Sequence, residues 1–98
     1  MDITTDLVAE FKDRMRITHS SEDGYLSSLL RTSYADIKAK CGEFDINLDD
    51  RGKELVFERS RYAFNDALEY FNDNFLSQIN SFGLDNLPEP VGDEDAGI

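Results

Sequence analysis

The sequence predicts an all-α protein: a small bundle of three main helices, a C-terminal helical or extended arm, and a disordered acidic tail. Three observations predict it. Apolar residues recur at helical spacing in three successive segments. A capping residue precedes each segment, at Thr4, at Ser20 and at Asp49 or Asp50. The eleven residues from Pro88 to Ile98 hold two Pro, two Gly and four acids, a composition with almost nothing to bury.

The first helix is expected over about Thr5 to Arg14, where Leu7, Val8, Phe11 and Met15 form the stripe. Thr4 stands at the N-cap and Asp6 in the first turn, where the helix dipole favours negative charge. Ile3 and Val8 occupy the two positions of a hydrophobic staple. A polar break follows at Thr18-His19-Ser20-Ser21. With Ser20 as N-cap, the second helix runs to about Cys41, its inner face set by Leu26, Leu30, Ser33, Ile37 and Cys41. Gly42 is the natural terminator, in the left-handed region that glycine tolerates.

Phe44 and Ile46 anchor the next loop. The third helix starts after Asp49 or Asp50 and reaches at least Phe71, with Val56, Ser60, Phe64, Ala67, Leu68, Phe71 and Phe75 on one line. Gly52 in its first turn costs under ~1 kcal/mol relative to Ala. Beyond Asn74 the pattern divides. Phe75, Leu76, Ile79 and Phe82 fit a helical turn or two, whereas Gly83 and Asn86 weaken a helix, so Ile79 to Leu87 also reads as an extended arm. The domain is therefore expected over residues 1–87, with residues 88–98 as tail.

A chain of 98 residues supports one domain with a thin core. It carries seven Phe, four Tyr and no Trp. Rings that such a core does not cover would mark a partner surface. The net charge is −11, and its distribution says more than its sum. After Arg61 there is no Lys or Arg, while eight acids follow. Such a surface repels nucleic-acid phosphates and anionic lipid, which argues against a DNA-gripping or membrane-surface protein. It suits a basic partner, a DNA mimic, or a wall that DNA must pass without sticking. The single Cys41 cannot form an internal disulfide, and the N-terminus lacks the features of a signal peptide, so the cytoplasm is the default compartment.

Catalytic and metal chemistry find little support. Asp45-x-Asn47-x-Asp49 resembles the start of a calcium loop, but Asp50 and Val56 stand where an EF-hand needs Gly and Glu, so a loop with a helix cap is the better reading. His19 and Cys41 lie at opposite ends of the second helix, roughly 30 Å apart, too far to form a pair within one chain. Glu54 and Glu58, beside Arg51, Arg59 and Arg61, read as a solvated, salt-bridged helix face. No cofactor site and no enzyme activity are expected.

The order of these signals resembles the head–tail connector (adaptor) family of tailed bacteriophages over roughly residues 5–87. The resemblance rests on Leu7-Val8-Ala9-Glu10-Phe11-Lys12, Met15-Arg16-Ile17, Glu22-Asp23-Gly24-Tyr25-Leu26, Leu29-Leu30 and Cys41-Gly42. It continues through Arg59, Ala63, Asp66-Ala67-Leu68-Glu69-Tyr70-Phe71, Asn72-Asp73-Asn74-Phe75-Leu76 and Ile79-Asn80-Ser81. It implies a virion structural protein of the neck, assembled in the host cytoplasm. Copies would form a ring, usually dodecameric, beneath the portal protein and above the next head-completion or tail protein. That ring would extend a channel for double-stranded DNA, which passes without specific binding. The alternative from a different class is an acidic interaction module, a DNA mimic or an inhibitor of a nucleic-acid-binding protein.

Two groups of residues are expected to carry contacts. Phe75, Ile79, Phe82, Leu84 and Leu87 form a segment that is apolar yet a poor independent helix, suited to an interface with another subunit or a partner. Asp66, Glu69 and Asp73 recur at spacings of three and four, which would place them on one helix face, turned to the channel.

Overall fold

The computed structural model describes residues 3–87, and the expected tail lies outside them. Five α-helices occur among the described residues: α1 (Thr5–Met15), α2 (Asp23–Cys41), α3 (Asp50–Phe64), α4 (Phe71–Asn74) and α5 (Leu76–Asp85), with a 3-10 turn at Leu68–Tyr70. α2 is the spine of the fold. It packs against α1, α3 and α5, and α3 in turn meets α4 and α5.

Side-chain caps explain where α1 and α3 begin. Thr4 Oγ1 accepts from the Leu7 amide at 3.2 Å, and Ile3 packs against the core beside it. Asp49 Oδ1 accepts from the Gly52 amide at 3.1 Å. The expected Ser20 cap is corrected: α2 begins at Asp23 after a turn in which the Asp23 amide donates to the Ser20 carbonyl at 3.2 Å. Asp23 instead pairs with Lys12 at 2.8 Å, tying the start of α2 to α1.

The third helix is shorter than its stripe implies. It ends at Phe64, not at Phe71 or beyond. Asp66 adopts φ 57°, its amide donates to the Ala63 carbonyl at 3.2 Å, and the Ala67 amide donates to the Tyr62 carbonyl at 2.8 Å. This is a Schellman motif, which uses up the carbonyls a continuing helix would need. α1 ends the same way, with Arg16 at φ 62° and bonds from Arg16 to Asp13 and from Ile17 to Lys12. After the break the chain folds back, so that Phe71 is fully buried and stacks on Phe75 with centroids 5.0 Å apart. Tyr62 meets both rings edge-on.

The C-terminal arm is helical. α5 turns Ile79 and Phe82 into the core, and a Cβ added at Gly83 would lie 3.7 Å from the Cys41 Cα. Asn86 closes the helix onto the end of α2, its Nδ2 donating to the carbonyls of Cys41 (3.0 Å) and Glu43 (2.9 Å). Gly42 takes φ 95° and ψ 170°, a region open essentially to glycine alone, though not the left-handed helical well expected of it.

One core joins all five helices, centred on Phe11, Leu26, Leu30, Ile37, Ile46 and Val56. Tyr34 ties the connecting loop to it: its hydroxyl donates to the Phe44 carbonyl at 2.6 Å and accepts from the Ile46 amide at 3.2 Å. Asp45 makes a local turn by accepting from the Asn47 amide at 2.9 Å. The Asp45–Asp49 segment is thus a loop and helix cap.

Candidate interaction surface

All seven Phe are buried or half-buried, as are Tyr34 and Tyr62, leaving Tyr25 and Tyr70 exposed. The aromatic content is therefore spent mainly on the core. The uncovered apolar surface is chiefly leucine.

The five expected interface residues divide into two sets. Ile79 and Phe82 are buried in the chain's own core, and Phe75 packs half-buried against it. Leu84 and Leu87 are 70% and 66% exposed. They rim a shallow groove floored by Cys41, Ile79 and Gly83, where α5 runs past the end of α2. Leu76, which opens the same helix, is 53% exposed. The four-residue steps Leu76, Asn80 and Leu84 form an outward stripe beside the Phe75–Ile79–Phe82 stripe, a second periodicity present in the sequence. Each apolar side chain left in water forgoes up to about 1.5–3 kcal/mol of burial, so a leucine ridge on so small a domain favours a partner.

Asp66, Glu69 and Asp73 are all exposed. The ground for joining them on one helix face is removed, because the chain breaks after Phe64. Asp66 sits in the left-handed residue that ends α3, Glu69 in the 3-10 turn, and Asp73 in α4.

The bases are largely committed inside the fold. Eight of the ten Lys and Arg form ion pairs with acids. Arg14 of α1 reaches Glu54 at 2.6 Å and Glu58 at 2.7 Å, and Arg61 holds the other Glu58 oxygen at 2.6 Å. Glu58 is only 9% exposed, so this cluster is a clamp between α1 and α3, not the solvated face its spacing implied. The hydrogen bond and charge of Glu54, with those of Glu58, outweigh burial and raise the Arg14 pKa. For Arg61 the hydrogen bond it donates to Glu58 does the same. Arg59 spans to Asp36 of α2 at 3.1 Å. Arg51 joins Asp85 of α5 at 2.8 Å and Ser81 at 3.1 Å, and lies over the Phe82 ring. Arg16 and Arg31 have no acidic partner among the described residues, against nine acids there that lack a base. The charges left without an opposite partner among the described residues are therefore mainly acidic.

His19 is exposed, its Nδ1 2.9 Å from Ser21 Oγ. Cys41 is buried with Sγ directed at the Ile79 carbonyl, and burial raises its thiol pKa. Among the described residues no cluster of His, Cys, Asp and Glu is placed to hold a metal ion, and no helix is long and apolar enough to cross a membrane.

Residues 5–81 match the family described as phage gp6-like head-tail connector protein, a stretch reaching from α1 into α5. No curated protein and no solved structure gives a significant match.

Proposed function

This chain belongs to the phage gp6-like head-tail connector family, and from that membership we propose that its copies form a ring beneath the portal, joining the DNA-filled head to the tail. The coarse role is that of a structural connector, a neck component of the virion that engages head and tail parts. The finer reading is that the ring extends the DNA channel and offers its lower face to the next head-completion or tail protein.

The match over residues 5–81 carries this reading. The charge pattern supports it. Gripping phosphates takes Lys and Arg free to face them, and here most are held in internal pairs. An acidic wall lets DNA slide. Asp66 and Glu69, exposed at the corner after α3, are the acids assigned to that wall. A DNA mimic would instead rank its acids along one continuous exposed face. Many of the acids here are instead dispersed over caps, loops and helix ends.

A reconstruction of the purified virion neck tests the proposal. The expected result is density for this fold in a closed ring directly below the portal. Full assembly of infectious particles without the chain would overturn it.

A further inference from the structure

We propose that the leucine ridge of α5 docks on the outward face of α2 of a second copy of this chain, with Asp73 of one copy paired to Arg31 of the next. This rests on the ring reading and adds to it the two surfaces that meet.

A ring built of identical copies uses a heterologous contact, so each subunit must carry two different, complementary surfaces. The first is the ridge of Leu76, Leu84 and Leu87, which begins just after Asp73 in a part of the chain without any Lys or Arg. The second must therefore supply a base that the fold has not already used. Only Arg16 and Arg31 among the described residues qualify, and Arg31 stands on a regular helix. Its one polar contact is a long 3.4 Å bond to Ser27. Ala35 and Ala39 follow Arg31 on the same exposed side, opposite the buried Leu30, Ile37 and Cys41. Leu76 to Leu84 and Arg31 to Ala39 each span eight residues, about 12 Å of helix. With Leu76 set against Arg31, the ridge then runs along α2 and brings Leu84 to Ala39, and Asp73, three positions before Leu76, stands at the Arg31 guanidinium. The charges fix the register while the leucines lose their water.

The test uses phage lacking the chain and complemented with variants. Arg31→Asp should lower the copies incorporated per virion at least about tenfold, as should Asp73→Arg, and the two together should restore them. Circular dichroism of each purified variant checks that it folds. Independently, Leu84→Cys with Ala39→Cys should give a ladder of disulfide-linked oligomers in virions oxidised with copper phenanthroline, because Cys41 is buried and stays out of the reaction. Either cysteine alone should give none. Normal incorporation of both charge variants, or virions that carry the double-cysteine chain without a ladder, would overturn this contact and leave the connector reading standing. Dimers from Leu84→Cys alone would show a two-fold contact and overturn it as well. Absence of the wild-type chain from virions would overturn both.

Discussion

Ser60 Oγ lies 3.0 Å from Ser33 Oγ where α3 crosses α2, and the same Ser60 hydroxyl approaches the Leu29 carbonyl at 3.3 Å. Arg59 closes the group by donating to Ser33 at 3.2 Å. Both serines are fully buried. They interrupt the apolar stripes of the two helices at matching points, and their small volume lets the backbones come close while each hydroxyl is satisfied.

Ser60→Leu should therefore destabilise the fold by about 1–3 kcal/mol, although it makes the stripe more apolar, because the crossing has no room for the added carbons. Urea denaturation followed by circular dichroism measures this. An unchanged midpoint would show that α2 and α3 can separate without loss.

Gly52→Ala should also destabilise, against helix propensity. Alanine favours the helix by up to ~1 kcal/mol. A Cβ at Gly52, however, would overlap the Phe44 ring, which packs between Tyr34 and Phe82 with centroids 5.1 and 5.2 Å away. The ring must move and loosen the loop, so a melting temperature below the wild type is expected. A rise would mean that Phe44 shifts without cost.

Leu84→Asp with Leu87→Asp should abolish assembly and leave the helical spectrum and melting temperature close to wild type. Both side chains are exposed and make no core. Ile79→Asp, by contrast, should unfold the chain, since that residue is buried. Incorporation into virions and circular dichroism separate the two outcomes, and unfolding of the double variant would place these leucines in the core.

Asp66→Lys with Glu69→Lys should give a folded protein that joins the neck but impairs DNA retention or ejection. Each base that meets a phosphate adds affinity and slows sliding. Ejection kinetics from purified phage read the effect. A normal rate and titre would remove these two acids from the channel wall.

The local elements were largely decided by the sequence itself. Thr4 and Asp49 cap because their side chains reach the amides three residues on. Leu26, Leu30 and Ile37 face inward because helical spacing alone puts them on one side. The absence of Lys and Arg after Arg61 likewise needs no fold to be seen. Tertiary structure decided what depends on residues distant in the chain. Helical periodicity continues through Asn65 to Asp73, yet the helix stops at Phe64, because burying Phe71 and Phe75 against Tyr62 requires the chain to fold back. That break separated Asp66, Glu69 and Asp73. Whether Ile79, Phe82 and Leu84 face a partner or the core is equally invisible to spacing. All three are apolar, and only the position of α2 and α3 beside α5 makes Ile79 and Phe82 interior and leaves Leu84 in water. The pairing of Glu58 with Arg14 across forty-four positions belongs to the same class. Periodicity reports which side chains share a face, and packing alone determines what that face meets.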